Sequence, residues 1–223
     1  MILELLGNSG SGKTTILKRF ITNEEKGCFW GDEWWYSKRK LKYLILLPYL
    51  LNFALIRLLI ISRRVLKKNG IRGRSGFQQM RHLAFHFVIA KKAKRMSKKG
   101  YFVVLSESFV TLIPNMFLNR CDEQQKRFIK IVGDLFHRDA YLFIHNDIDR
   151  IVEHKSRRDG EADPIVTREK IEKQMRNLNT FIDSIGIEES IVHADYNYND
   201  ESLKKLLSIL ESMVCGHICS AKA

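Results

Sequence analysis

The stretch Gly7-Asn8-Ser9-Gly10-Ser11-Gly12-Lys13-Thr14 decides the fold of this 223-residue chain. It follows the apolar run Ile2 to Leu6 and leads into the helix-like stretch Thr14 to Phe20. Glycines in such a turn let several backbone N–H groups face one anion, and the helix adds its positive N-terminal end. The alternative is a glycine-rich turn that only joins a strand to a helix.

The motif predicts a nucleoside triphosphate as the ligand of this turn. In this interpretation Lys13 reaches the outer phosphates and the Thr14 hydroxyl ligates magnesium. The predicted nucleotide site consists of Gly7, Asn8, Ser9, Gly10, Ser11, Gly12, Lys13, Thr14 and Thr15.

Composition indicates one domain over residues 1–223 with an anionic partner. The chain is 45% hydrophobic, has only 3 prolines and contains no low-complexity tract that would mark a linker. Its net charge is +13, which nucleotide phosphates, nucleic acid or anionic lipid would each satisfy. The basic residues are spread over several helices and no nucleic-acid-binding module is present, so specific nucleic-acid binding is not expected.

The cysteines and the start of the chain indicate a reduced, cytoplasmic protein. The four cysteines are scattered, except for Cys215 and Cys219 with His217 between them. The first strand is expected to begin at Ile2, which leaves no room for a leader peptide ahead of the fold.

Five strand-like segments alternate with helical patterns along the chain. This alternation predicts an α/β fold in three layers, a five-stranded parallel sheet with helices on both faces. Ligands of such folds gather at the carboxyl ends of the strands, so the chemistry is expected directly after each strand. The predicted strands are Ile2 to Leu6, Gly27 to Trp30, Tyr101 to Leu105, Tyr141 to His145 and Ser190 to His193.

Residues 41–61 form an apolar stretch close to the length of a membrane span. A single crossing is excluded, because the phosphate-binding turn precedes the stretch and the other candidate site residues follow it. Residues 41–68 are interpreted as an amphipathic helix that Pro48 kinks or divides. Its polar residues project into one arc of roughly 160°: Lys42, Asn52, Arg57, Arg63, Arg64, Lys67 and Lys68.

Three hypotheses are open for this segment. It packs on the sheet or on an acceptor pocket, or it lies in the headgroup region of an anionic membrane, or it forms a contact in a homodimer. The second hypothesis would place the protein at the inner face of the membrane.

Carboxylates follow the second and third strands. Asp32 and Glu33 are candidates to orient or deprotonate an acceptor hydroxyl, with Glu33 preferred. Glu107 is the candidate for binding magnesium or its water shell. The alternatives are ordinary acidic loop residues and, for Glu107, a carboxylate that favours the dipole of the next helix.

Two further segments are basic. Residues 147–166 are interpreted as a lid, in which Arg157 and Arg158 close over the transferring phosphate and Arg150 joins them. The stretch Gly76 to His82 is expected to open a helix, from which Phe77, Gln78 and Arg81 contact an acceptor. The alternatives are a solvated charged face and an ordinary polar helix start. The lysine-rich cluster over residues 91–99 is expected to be solvated.

Together these residues resemble the thymidylate kinase and deoxynucleoside kinase group, in order and nearly from end to end. The resemblance implies a P-loop NTPase fold of the nucleoside monophosphate kinase type, with a helical acceptor region at 37–75 and a lid. It implies transfer of the γ-phosphate of ATP, with Mg²⁺, to a nucleoside, a nucleotide or another small molecule. It also implies that Glu33 is the catalytic acid, that Phe77 and Gln78 hold a base, and that residues 195–199 pack against adenine.

The chain departs from this group at two motifs. It has Ser106-Glu107-Ser108 where the group has an acid followed by arginine, and it has Trp34-Trp35 where the group has proline after the acid. A sugar or a lipid-linked sugar at the membrane surface is therefore an alternative acceptor. A regulatory nucleotide-binding ATPase that passes no phosphate on is the alternative of a different class.

Overall fold

A computed structural model describes residues 1–8, 10–23, 28–31, 34, 37–38, 41–106, 128–133, 138–158 and 167–220 of the chain; for residues 22, 23, 42, 155–158 and 217–220 it describes the backbone alone. Five strands form one parallel sheet in the order β2-β3-β1-β4-β5. They are β1 (Ile2–Leu6), β2 (Cys28–Trp30), β3 (Phe102–Leu105), β4 (Ala140–His145) and β5 (Ile191–Asp195). The prediction of five parallel strands is confirmed, and each strand end lies within two residues of its predicted position.

Seven helices are labelled in the described part of the chain: α1 (Lys13–Asn23), α2 (Lys42–Leu46), α3 (Phe53–Lys68), α4 (Gly73–Ser97), α5 (Ile148–Arg158), α6 (Arg168–Ile185) and α7 (Asp200–Ser220). Short 3-10 turns lie at Leu47–Tyr49 and Glu188–Ser190, and a further helical segment spans 128–133. Helix α4 begins at Gly73, earlier than the predicted start at Gly76, so Arg74 lies in its first turn.

The sheet is covered on both faces, which confirms the three layers. All five residues of β1 are buried, as expected of a central parallel strand. Leu3 and Leu5 pack on the side of α1 and α7 with Phe20 and Leu210. Ile2 and Leu6 pack on the opposite side, in a larger core formed with α3, α4 and α6.

A buried ion pair lies inside the larger core. Arg138 Nε donates to Glu4 Oε2 at 2.7 Å, and both side chains are almost fully buried. Burial, with the Glu4 carboxylate nearby, raises the pKa of Tyr141 on β4. Burial, together with the positive charges of His82 and Arg138, lowers the pKa of the His86 imidazole on α4 to about 4.

The expected amphipathic helix over 41–68 is divided. Pro48 lies in the 3-10 turn, and α3 leaves the preceding helical segment Tyr43–Tyr49 at 103°. Asn52 caps α3, because its side-chain oxygen accepts from the backbone N–H groups of Ala54 at 3.1 Å and Leu55 at 3.4 Å.

The division corrects the single polar arc expected of this segment. On α3 the exposed face carries apolar Phe53, Ile56 and Ile60 in its first half, while Leu58 and Val65 face the core. Apart from Arg57, the exposed basic residues of α3 lie in its second half, so exposed apolar and basic residues are largely separated along the helix axis.

Across the described residues, no helix by itself has the length and apolar character needed to span a membrane. The two helical segments Tyr43–Tyr49 and Phe53–Lys68 reach the required length and apolar character only when they are counted together, and they are bent relative to each other.

Candidate functional site

The predicted phosphate-binding turn connects β1 to α1 at the carboxyl edge of the sheet. Its glycines have φ angles of 130° at Gly7, 92° at Gly10 and 85° at Gly12, a left-handed region that side chains other than glycine rarely adopt. The Ser11 N–H donates to Asn8 O at 3.1 Å and tightens the turn. Helix α1 begins directly after it at Lys13, so the N-terminal end of this helix lies at the same edge.

The Lys13 side chain is held over this turn by hydrogen bonds to oxygen atoms of the turn. Its ammonium donates to Gly7 O at 2.8 Å, to Asn8 O at 2.7 Å and to Ser11 Oγ at 3.2 Å. Asn8 is buried, and its Nδ2 has no hydrogen-bond partner among the described residues. The turn therefore combines a cation, a buried amide donor and a helix N-terminus, groups that favour an anionic ligand.

Two glycines of the turn are required by close packing. A Cβ at Gly12 would lie 2.4 Å from Cε1 of Tyr196, and a Cβ at Gly7 would lie 2.8 Å from the carbonyl oxygen of Ile144. Larger residues at either position would displace the turn from β4 or from the segment after β5.

The segment after β5, which was expected to lie beside a base, is bonded to the turn. Tyr198 adopts a positive φ of 56°, and its hydroxyl donates to Gly10 O at 2.5 Å. Asn146 Nδ2 donates to Tyr196 O at 2.5 Å, and the Tyr196 N–H donates to His145 O at 2.8 Å. The segment is thereby attached both to the phosphate-binding turn and to the end of β4.

Helix α5 contacts the segment after β5 through two of its side chains. The His154 ring stacks on Tyr198 with centroids 4.7 Å apart and 17° between planes. Arg150, which was expected to join the lid arginines, donates from Nη1 to Asn197 O at 2.8 Å. Arg157 and Arg158 occupy the last positions of α5, and their side chains lie outside the described residues, as does 159–166 of the predicted lid.

The predicted magnesium and acid residues are only partly described. Thr14 and Thr15 are exposed in the first turn of α1. Ser9, Asp32, Glu33 and Glu107 lie outside the described residues. Within the described part of the chain, no group of three His, Cys, Asp or Glu side chains is arranged to hold a metal ion.

The ends of β2 and β3 are bonded to each other. Trp30 Nε1 donates to the buried Ser106 Oγ at 3.3 Å. The ammonium of Lys92 on α4 lies 5.3 Å from the Trp34 ring centroid and 5.9 Å from that of Phe29. Lys92 is half-buried and makes cation–π contacts with two aromatic rings, whereas the rest of this cluster is exposed as expected: Lys91, Lys94, Arg95, Lys98 and Lys99.

The acceptor candidates on α4 differ in exposure. Phe77 is 68% exposed and Gln78 is exposed, so neither lies against the core. Arg81 is half-buried, and its Nη1 lies 3.5 Å from the hydroxyl of Tyr43 on α2. Gln79 Oε1 and Arg81 Nε are shielded from solvent without a hydrogen-bond partner among the described residues. Gln79 is thus a further candidate for contacting the acceptor. The sequence does not indicate it, because the evidence is a side-chain amide oxygen that the fold buries without a hydrogen-bond partner among the described residues.

Two histidines, His145 and His193, form a pair at the carboxyl edge of the sheet. Sequence reasoning placed each of them at the end of a strand but did not predict that they pair. Nε2 of His145 on β4 and Nδ1 of His193 on β5 are 2.7 Å apart, and both rings stack on Phe143. Burial and the neighbouring His193 lower the pKa of His145, although Asp195 opposes the shift. The neutral form of His145 is therefore favoured at the carboxyl edge of the sheet.

Comparison with solved structures supports the fold. No protein-family model matches the chain, and curated protein sequences contain no match to it. Among solved structures, it is similar to deoxyadenosine kinase from M. mycoides with the products dCMP and dCDP bound, at a TM-score of 0.55 and 14% identity, over 95% of this chain and 100% of the other. It is also similar to thymidylate kinase from Candida albicans, at a TM-score of 0.53 and 14% identity, over 95% of this chain and 91% of the other. The chain therefore has the P-loop kinase-like fold.

Proposed function

We propose that this protein is a kinase that transfers the γ-phosphate of ATP, with Mg²⁺, to a small-molecule acceptor. The observation that carries the proposal is the turn at residues 7–13, in which three left-handed glycines, a buried amide and the Lys13 ammonium converge at the start of α1. The fold shared with deoxyadenosine kinase and thymidylate kinase supports it.

Each part of the site has a role in this proposal. The backbone N–H groups and Lys13 bind the β- and γ-phosphates, and the Thr14 hydroxyl binds Mg²⁺, assisted by Glu107. Glu33 or Asp32 accepts the proton of the acceptor hydroxyl as its oxygen bonds to the γ-phosphorus and the bond to the leaving ADP oxygen breaks. Arg157 and Arg158 stabilise the charge that spreads over the transferred group.

The segment after β5 is proposed to border the purine. Tyr196 and Tyr198 hold its backbone against the phosphate-binding turn, and the stacked His154 and Tyr198 rings offer a flat aromatic edge beside it. The proposed role of Tyr198 is to position this edge, because its hydroxyl is already bonded to Gly10.

The acceptor class has two candidates. A nucleoside or nucleotide follows from the likeness to deoxyadenosine and thymidylate kinases. A lipid-linked acceptor is favoured by one contact: Arg81, a candidate acceptor residue, meets Tyr43, which belongs to the exposed apolar surface of α2. An acceptor bound at Arg81 would therefore lie next to apolar side chains that face solvent.

The nucleotide site is tested by calorimetry with Mg-ATP. We expect saturable binding that Lys13→Ala weakens by at least tenfold, because the ammonium contributes a charge-assisted contact to the phosphates. Arg19→Ala removes a positive charge from the exposed face of the same helix and is the matched control, with unchanged binding expected. Absence of ATP binding in the unmodified chain would remove the basis of the kinase assignment.

Phosphate transfer is tested with γ-labelled ATP and separate panels of nucleosides, nucleotides, sugars and glycolipids. A labelled product with one panel identifies the acceptor class, and Lys13→Ala should abolish that product. ATP hydrolysis that no acceptor stimulates would instead indicate the regulatory ATPase and contradict the kinase assignment.

A further inference from the structure

The charge of this protein is concentrated in one segment. Residues 34–106 contain eighteen Lys and Arg side chains and no Asp or Glu, whereas the rest of the chain carries 20 basic and 25 acidic residues. The net charge of +13 therefore arises entirely from the segment that includes α2, α3 and α4. A segment of this length without one carboxylate produces a strong positive field that attracts an anionic partner.

An exposed apolar surface lies within this segment. Leu51 is 89% exposed and Phe53 is 78% exposed. A monomeric soluble protein rarely exposes a contiguous apolar area of this kind without a function for it. The apolar surface consists of Leu41, Tyr43, Leu44, Leu47, Leu50, Leu51, Phe53, Ile56 and Ile60.

A basic band adjoins the apolar surface along α3. Arg63, Arg64, Lys67 and Lys68 are all exposed on the same face of the helix as Phe53 and Ile60. At 1.5 Å per residue, the positions from Phe53 to Ile60 cover about 10 Å of the helix axis. That length matches the depth of about 5–10 Å to which amphipathic segments enter the boundary between lipid headgroups and acyl chains.

The bend before α3 suits entry from one side of a bilayer. With the N-terminal end of α3 directed into the lipid, the 103° angle lays the preceding helical segment along the bilayer plane. A complete crossing is excluded, because β2 before the segment pairs directly with β3 after it. Arg57 lies among the apolar positions, and its long side chain reaches back to the headgroups.

Other occupants fit this surface less well. In a two-fold dimer through this face, the two copies would bring carboxylate-free, positively charged segments together, which like-charge repulsion disfavours. A nucleic acid would satisfy the basic band but would leave the leucine-rich apolar surface without a counterpart.

We infer that the apolar surface and the basic band together form a docking surface for a bilayer that contains anionic lipids, with α2 and the first half of α3 inserted at the level of the headgroups. The docking does not depend on phosphate transfer. It would bring Tyr43, and with it Arg81 of the acceptor region, to the lipid surface.

The test is co-sedimentation of the full chain with vesicles of phosphatidylcholine alone or with about one third phosphatidylglycerol. We expect binding to the anionic vesicles that salt weakens without abolishing, because apolar insertion persists when charges are screened. The double variant Leu51→Ser/Phe53→Ser should weaken binding at least tenfold. Arg63→Gln, Arg64→Gln and Lys67→Gln should each weaken it about fivefold.

Matched controls separate docking from general effects. Lys204→Gln/Lys205→Gln removes two exposed charges from α7, and Val192→Ser removes a partly exposed apolar side chain from β5. These variants should bind vesicles as the unmodified chain does. All variants should keep the thermal midpoint of the unmodified chain, since the replaced side chains are exposed.

Three outcomes would overturn the inference. The first is no binding to either vesicle composition. The second is vesicle binding that Leu51→Ser/Phe53→Ser does not change. The third is absence of vesicle binding together with evidence for another partner. That evidence would be a dimer that light scattering detects and that the same double variant dissociates, or RNA binding that depends on salt. Loss of ATP binding in Lys13→Ala leaves vesicle binding unaffected, so failure of the kinase assignment and failure of docking are distinguishable.

Discussion

The hydroxyl of Tyr198 donates a hydrogen bond to the carbonyl oxygen of Gly10, with 2.5 Å between the two oxygens. This contact joins the segment after the last strand to the phosphate-binding turn after the first strand. The same tyrosine stacks on His154 of α5, the helix that forms the first part of the predicted lid. One side chain therefore connects three parts of the proposed nucleotide site.

The first prediction concerns that hydrogen bond. Tyr198→Phe keeps the ring and its stacking on His154 but removes the donor, which is worth about 1 kcal/mol. We expect Mg-ATP to bind about fivefold more weakly in calorimetry, because the Gly10 carbonyl loses the partner that orients it. Tyr101→Phe, on an exposed tyrosine before β3, should bind as the unmodified chain does. Equal affinities in the two variants would contradict a positioning role for Tyr198.

The second prediction separates packing from backbone strain at a glycine. Gly12→Ala places a Cβ 2.4 Å from Cε1 of Tyr196 at a φ of 85°, whereas Gly70→Ala meets no atom within 4 Å at a φ of 74°. Left-handed strain alone costs about 1–2 kcal/mol. We expect Gly70→Ala to lose about that much free energy of unfolding in urea, and Gly12→Ala to lose more and also to abolish ATP binding.

The elements that sequence reasoning predicted are those with local signals. The five strands follow from short apolar runs between helical patterns, and the turn at residues 7–13 follows from glycines at fixed spacing. Contacts between distant parts of the chain have no such signal. The bond from Tyr198 to Gly10 and the position of Lys92 over Trp34 both depend on tertiary packing.

The surface of α2 and α3 shows a second limit of sequence reasoning. Hydrophobic periodicity projects residues 41–68 onto one helical wheel with a single polar arc, and the kink or division expected at Pro48 does not say which apolar residues are exposed. Pro48 and the Asn52 cap divide the segment, as expected at Pro48, so the second half follows a new axis. Leu51 and Phe53 are then exposed although their hydropathy predicts burial.

The third prediction tests the buried pair of Arg138 and Glu4. Arg138→Met leaves the Glu4 carboxylate buried without its cation, and we expect a loss of about 3–5 kcal/mol in the free energy of unfolding measured with urea. The double variant Glu4→Leu/Arg138→Met replaces both charges by apolar groups and should recover most of that loss. A double variant as unstable as Arg138→Met would contradict this account of the pair.

The fourth prediction is a pH dependence from His86. The pKa of its imidazole is about 4 in the folded chain, against an ordinary value of 6.5. The fold therefore favours the neutral form, and the contribution of His86 to stability is complete above pH 6.5 and is lost as the pH falls towards 4. The shift corresponds to at most about 3 kcal/mol.

Urea titrations at pH 7 and pH 4 measure this loss. His86→Gln should show a smaller drop in stability between the two pH values than the unmodified chain. His82→Gln removes one of the positive charges that lower the pKa of His86, so its drop should be intermediate. Identical drops in all three proteins would show that another group controls acid stability.

The fifth prediction uses Asn52 to separate folding from membrane docking. Asn52→Ala removes the acceptor for the backbone N–H groups of Ala54 and Leu55, and the free energy of unfolding should fall by about 1 kcal/mol. Asn52→Asp keeps an acceptor at the cap and adds a negative charge that the N-terminus of α3 favours, so stability should be retained. The same charge lies between Leu51 and Phe53 and would be carried into anionic headgroups, where it is repelled. Vesicle binding should therefore be weaker in Asn52→Asp than in Asn52→Ala, although Asn52→Asp is the more stable protein. The opposite order in co-sedimentation would mean that this end of α3 does not enter the lipid.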